Sequence, residues 1–237
     1  MKLYNSFATL TKFELALWLS SLAVIAVTFI TAGAFDPLVL TALLVGATAL
    51  IFVSKGDPTG QLLTVLFAAI YGIISFRLRY YGEMITYMGM SAPIAAASFI
   101  SWLRHPFARG KAEVAVGQLT SRTVLLLAAL TAAVTFAFYF ILAAFDTPTL
   151  PVATISVATS FAASALTLLR SPWYALAYSA NDVVLIILWV IASFSDRTYI
   201  PMIVCFVIFL ANDLYGFINW RKIAKKQKKT AGAGLRR

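Results

Sequence analysis

The sequence predicts an all-α polytopic membrane protein with eight transmembrane helices, and three observations carry that expectation. Charged residues are 12% of the 237 residues, about half the quarter that a soluble domain keeps to face water. Hydrophobic residues are 61%, and the mean hydropathy is +0.88. The apolar residues fall into eight stretches of about the 17 to 25 residues that cross a hydrocarbon core.

Taken in order, the stretches cover 15–35, 37–54, 60–79, 84–103, 122–145, 149–169, 173–194 and 198–219. Short polar breaks separate them: Phe35-Asp36-Pro37, Lys55-Gly56-Asp57-Pro58, the stretch from Arg104 to Arg122, Asp146-Thr147-Pro148, Arg170-Ser171-Pro172 and Ser195-Asp196-Arg197. Proline and glycine at such breaks are the expected punctuation. The first stretch imitates a signal peptide, with Ala32-Gly33-Ala34 as a small-residue cleavage site. Its apolar run is longer than a signal core, and the acidic Glu14 precedes it, so the expectation is a retained helix.

The net charge of +10 is read by its location. Much of it lies in the last eighteen residues, as Arg221, Lys222, Lys225, Lys226, Lys228, Lys229, Arg236 and Arg237. A basic tail behind an apolar helix marks a cytoplasmic end beside anionic lipid, and no groove-reading motif accompanies it, so nucleic acid is not the expected partner. With the N-terminus, Lys2 and Lys12 inside, Lys55, Arg104, Arg109, Lys111, Arg122, Arg170 and the tail all fall inside too. Only Arg77, Arg79 and Arg197 dissent, and such side chains can snorkel to outer headgroups. The lone Cys205 and lone His105 exclude an internal disulfide and a cysteine- or histidine-based metal site, and no cofactor is expected.

The chain repeats itself at a shift of 118 residues. Eleven identities fall across 65–102, among them Arg79 on Arg197, Tyr81 on Tyr199 and Trp102 on Trp220, against about three expected by chance from so apolar a composition. The repeat pairs the second to fourth spans with the sixth to eighth. An even number of spans separates equivalent helices, so the units are parallel, and substrate sites in such carriers lie near the midplane between repeats. The expected organisation is therefore two parallel three-helix bundles joined by a linker helix (3+1+3), plus one extra N-terminal helix. By residue this gives 1–36 for the extra helix, 37–111 for the first bundle, 112–146 for the linker, 147–222 for the second bundle and 223–237 for the basic tail.

Polar residues inside the spans mark the candidate site, because a carboxylate at a helix centre costs about 2.5–3.5 kcal/mol on insertion scales. On the seventh span Tyr178, Asn181, Asp182, Leu185 and Trp189 form one stripe at helical spacing. On the eighth, Asn212, Tyr215, Gly216 and Trp220 do the same, with Asp213 at the border. Gln61, Thr64, Ala68, Tyr71 and Ser75 make the third-span counterpart, and Tyr87, Ser91 and Ser98 mark the fourth. The competing reading is helix-to-helix hydrogen bonding, which suits Asp213 and Gly216 at least as well. Trp102, Trp220 and Tyr199 read as interfacial belt residues, and Trp173 as either an anchor or a cavity wall.

Three segments carry a family resemblance. Trp173-Tyr174-Ala175-Leu176 with Asn181-Asp182 and Leu188-Trp189, then the run from Asn212 to Arg221, and Tyr71-Gly72 with Tyr80-Tyr81-Gly82-Glu83 together resemble the PnuC family of nicotinamide riboside transporters. The resemblance implies a SWEET-like fold and facilitated diffusion of nicotinamide riboside. It also implies a functional link to a cytoplasmic kinase that phosphorylates the substrate, and a place in the bacterial inner membrane. The chemistry agrees, since a pyridinium ring is a flat cation that Trp and Tyr faces attract. Ribose hydroxyls and a carboxamide need amides such as Asn181, Asn212 and Gln61.

The expected function is a vitamin uniporter that is not an enzyme. Its substrate contacts are Asn181, Asp182, Trp189, Tyr178, Asn212, Tyr215, Tyr71, Gln61 and Trp173, and it has both termini in the cytoplasm. Thiamine or riboflavin as substrate, proton coupling through Asp182, a homo-oligomer, and a membrane-embedded enzyme or sensor stay open as alternatives. No phosphate-cradling Gly-rich loop and no nucleophile–base pair speak for energy input or catalysis.

Overall fold

All eight apolar stretches are helices. The computed structural model describes residues 6–31, 36–77, 80–108 and 112–234. The helices run Lys12–Thr31 (α1), Pro37–Ser54 (α2), Pro58–Arg77 (α3), Tyr81–Arg104 (α4), Ser121–Ala144 (α5), Leu150–Leu168 (α6), Tyr174–Ser193 (α7) and Ile200–Gly234 (α8). Lys2, the Ala32-Gly33-Ala34 site, Arg79, Arg109, Lys111, Arg236 and Arg237 lie outside the described residues.

Local chemistry sets the helix ends. α1 starts earlier than the hydropathy alone implies, because Thr11 and Glu14 form a capping box: the Glu14 amide donates to Thr11 Oγ1 and the Thr11 amide to Glu14 Oε2. Asp36 caps α2 through its side chain, with Pro37 at the first turn, where a missing N–H costs nothing. α8 outlasts the predicted eighth span by about four turns, since its lysines, alanines and Gln227 are good helix formers. The basic residues thus continue the last helix through Gly234.

α4 holds one irregularity that the sequence reading lacked. Residues Thr86–Ser91 form a π-helical turn just before Pro93. A proline offers no N–H to the turn before it, and a widened turn absorbs the mismatch.

The packing follows chain order within two sets. α2 lies on α3 and α3 on α4, while α6 lies on α7 and α7 on α8. The sets meet twice, where α2 meets α8 and where α4 meets α6. α1 packs on α2 and α8. α5 leans mainly on α6, and Leu142 is its one buried residue. Its outer face, including Leu125, Leu126, Phe136 and Phe140, is exposed as a lipid-facing surface should be.

The two sets are tied at one end by a reciprocal contact. Trp102 of α4 donates its indole N–H to the Thr167 carbonyl, 3.0 Å away on α6. Trp220 of α8 donates to the Val53 carbonyl, 2.9 Å away on α2. Each acceptor is the last residue but one of its helix, and the two indoles meet at 5.4 Å. Both are fully buried, at 1% and 0% exposure. The belt reading of these tryptophans is therefore corrected: their N–H groups find partners inside the protein, so nothing draws them to an interface.

The segment between α4 and α5 straps the same end. Val114 N–H donates to the Gly56 carbonyl and Gly117 N–H to the Arg170 carbonyl, each at 3.0 Å. Gly56 and Arg170 each sit two residues past a helix end in the left-handed region, at φ +69° and +55°. Gln227 of the α8 extension holds the strap from behind, accepting from Val116 N–H and donating to Glu113 and the Val114 carbonyl. Arg170 donates to Ser101 Oγ, and its burial pulls the guanidinium below its ordinary value.

Gly117 passes so close to α6 that a Cβ there would lie 2.1 Å from the Leu169 carbonyl oxygen. Gly117→Ala is expected to cost about 1–3 kcal/mol by overpacking, read as a lower unfolding temperature in detergent.

Candidate functional site

Two cavities are stacked between the helix sets. The central one is lined by Gln61 of α3, Tyr87 and Ser91 of α4, Ser160 of α6, Asn181 and Asp182 of α7, and Asp213 of α8. It encloses about 740 Å³ of atom-free space, counting its mouth. The second, a vestibule, lies toward the end opposite the tryptophan pair. Tyr71, Tyr80, Glu83, Trp189 and Tyr199 line it, with about 770 Å³ counted the same way. Tyr71 belongs to the vestibule wall and Tyr87 to the central wall, and their rings meet at 4.4 Å.

The central wall mixes satisfied and free polar atoms. Asn181 accepts from Thr159 Oγ1 at 2.8 Å and Ser156 Oγ at 3.4 Å, which fixes the amide. Its Nδ2 has no hydrogen bond to a described residue. Gln61 is 2% exposed, and its amide likewise bonds no described residue. Asp182 Oδ2 is buried without a partner. The carboxyls of Asp182 and Asp213 interact with each other. Tyr178 Oη shares a hydrogen bond with Ser164 Oγ at 3.0 Å. Buried polar groups are nearly always paired, so this collection of free donors and acceptors around one space makes the central cavity the candidate site. The π-helical turn of α4 carries Tyr87 and Ser91 to the same wall.

The sequence-predicted residues divide three ways. Gln61, Tyr178, Asn181 and Asp182 share the central cavity. Tyr71 and Trp189 line the vestibule instead. Asn212, Tyr215 and Trp173 line neither cavity. Asn212 donates to Ser21 Oγ of α1 at 3.0 Å and to the Ile208 carbonyl. Tyr215 donates to Glu14 Oε1 at 2.9 Å, and its ring packs on Phe13. Glu14 in turn pairs with Lys55 Nζ at 2.8 Å. These groups bind α1 to the body of the protein. Trp173 is 45% exposed, under the Arg221 guanidinium and beside Phe217.

Asp213, Ser160, Tyr174, Phe206 and Phe209 line the central cavity without having been assigned to a site. On α8 the cavity face runs Phe206, Phe209, Asp213 and Gly216, three to four residues apart, which is one residue out of phase with the stripe through Asn212. Gly216 belongs to both stripes, and that made the two hard to separate.

Comparison with known proteins decides what kind of site this is. Residues 36–222, most of the chain, match the family model described as nicotinamide mononucleotide transporter. The chain belongs to that transporter family. Within it, the nicotinamide riboside transporter PnuC of Neisseria mucosa is 28% identical over 224 residues, spanning 91% of this chain and 83% of that protein. A solved structure described as the crystal structure of the vitamin B3 transporter PnuC matches with a TM-score of 0.80 and 26% identity, covering 92% of this chain and 94% of that one. The PnuC resemblance read from the motifs is borne out, and with it the eight-helix membrane fold. Family and solved relative are transporters, not enzymes.

Gln61 bonds no described residue, whereas Asn212 donates to Ser21 Oγ and to the Ile208 carbonyl. Asn212→Ala is therefore expected to destabilise by about 1–3 kcal/mol, because it removes the hydrogen bond that joins α8 to α1. Gln61→Ala, which breaks no hydrogen bond, is expected to cost less than Asn212→Ala. Thermal unfolding in one detergent compares them directly.

Proposed function

We propose that this chain is a facilitator for nicotinamide riboside, binding its substrate in the central cavity between the two helix sets. The observation that carries the proposal is the composition of that wall. Gln61 and Asn181 offer amides, Asp182 and Asp213 carboxyls, and Tyr87, Tyr174 and Tyr178 aromatic rings, from both sets at once. The riboside has matching parts: a flat pyridinium cation for ring faces and carboxyls, and hydroxyls and a carboxamide for the amides. The names of the relatives from Neisseria mucosa and of known structure support the same substrate.

In this reading the chain lies in a bacterial inner membrane with both termini cytoplasmic, as the distribution of lysine and arginine favours. The tryptophan pair and the strap then stand at the cytoplasmic end, and the vestibule faces out. The helix sets α2–α4 and α6–α8 act as two bundles that rock about the central cavity, with α5 as linker and α1 as an added brace. No energy source is needed, because a cytoplasmic kinase that phosphorylates the riboside would keep it from leaving. Each chain encloses its own cavity, so one copy suffices.

The test is counterflow in proteoliposomes. Labelled nicotinamide riboside is expected to enter vesicles preloaded with unlabelled riboside, and an enzyme or sensor gives no such exchange. Asn181→Ala and Gln61→Ala are expected to weaken riboside binding at least about tenfold each, the scale of a lost hydrogen bond to a charged or fixed group, as read by calorimetry in detergent. Unchanged affinity in both would move the site elsewhere. The paired Asp182 and Asp213 favour one second reading, proton coupling. It predicts that an imposed pH gradient drives accumulation above equilibrium, where a uniporter only equalises.

A further inference from the structure

The vestibule holds the most isolated acidic group of the spans. Glu83 sits in the first turn of α4, is 7% exposed, and has no hydrogen bond or ion pair with any described residue. Glu14, by contrast, is saturated by Lys55, Tyr215 and its own cap. Asp36, the other acid of the vestibule, caps α2 and lies 3.7 Å from Arg77. Among the described residues no basic side chain lines the vestibule. A carboxyl kept in a membrane helix for structure would be expected to show a partner.

The walls around Glu83 are aromatic. Trp189, Tyr80 and Tyr199 touch one another, with centroids 5.3 to 6.3 Å apart, and Tyr71 closes the floor. Trp189 is 3% exposed and its indole N–H has no partner, an independent sign of a vacant polar contact. Ring faces beside an unpaired carboxyl attract flat organic cations. A neutral molecule of the same shape gains the stacking and loses the charge.

We infer that the vestibule is a second binding site, separate from the central cavity, for an aromatic monocation, with Glu83 as its counter-charge and Trp189, Tyr80 and Tyr199 as its ring faces. This rests on the proposed substrate, whose pyridinium ring is such a cation. It assigns the riboside a first station outside the Tyr71–Tyr87 contact, where charge is recognised before hydroxyls and carboxamide are met further in.

Charge recognition is tested by comparing nicotinamide riboside with its reduced dihydropyridine form, which keeps the ribose and carboxamide and loses the positive charge. In proteoliposomes, Glu83→Gln is expected to raise KM for the cation about tenfold, the scale of one charge-assisted contact. For the neutral form it is expected to change KM less than about twofold, within the scatter of a surface substitution. The variant's unfolding temperature is read alongside. Tyr199→Leu against Tyr199→Phe gives a second arm that leaves Glu83 in place: Leu is expected to raise KM for the cation several-fold, and Phe, which keeps the ring face, to stay near the parent. Equal changes for both probes, or no change in either arm, would overturn the inference while leaving the carrier reading intact. A parent protein that carries neither probe would overturn the carrier reading and this inference with it.

Discussion

The architecture depends on two indole hydrogen bonds exchanged between the halves of the molecule. A helix that ends inside a membrane protein leaves its last carbonyls without intrahelical partners, and in lipid no water is at hand to satisfy them. The Thr167 and Val53 carbonyls already accept from the Arg170 and Gly56 N–H groups, and Trp102 and Trp220 add a second donor to each from the opposite helix set. The same two contacts therefore reinforce the ends of α2 and α6 and join the sets to each other. Because the indoles are one repeat apart in sequence and meet in a tilted contact, the halves meet in equivalent ways on both sides. The space between the helix sets is what is left where this junction stops.

Within that frame, intramembrane polar residues fall into two populations with different energetics. One population is bonded into the packing: Glu14, Lys55, Tyr215, Asn212 and Ser21 form a seam that holds α1 against α2 and α8, although Asn212 Oδ1 itself has no partner. The other is left short of partners around the central cavity and the vestibule, where Gln61, Asp182, Trp189 and Glu83 face open space. Stability and function compete for the same residue types here, and the helix face decides which one wins.

That division explains what the sequence made legible. Span number and most boundaries could be read directly, because hydropathy is a property of the chain itself. Asn181, Asp182, Tyr178 and Gln61 were legible as cavity-lining residues because each lies on a polar stripe of a helix flanked by helices on both sides. Asn212 and Tyr215 were harder to place, because α8 has two polar faces about 100° apart, one toward α1 and one toward the cavity. Choosing between them requires knowing where α1 packs, and amphipathicity carries no such information. Trp102 and Trp220 looked interfacial because they stand at span ends, and only their partners reveal that these ends converge. The π-helical turn was hidden for a similar reason: Pro93 announces a missing donor but not how the turn before it responds.

The two ends of the molecule are fastened very unequally. At one end the indole pair, the strap at Gly56 and Arg170 and the clasp of Gln227 must all yield together. At the other, the side-chain hydrogen bond that spans the gap between the sets is the one between the hydroxyls of Tyr80 and Tyr199, at 3.3 Å. Like a clothes-peg, such a body is held less firmly at its jaws than at its spring, so the tyrosine side is where the two sets are least fastened to each other.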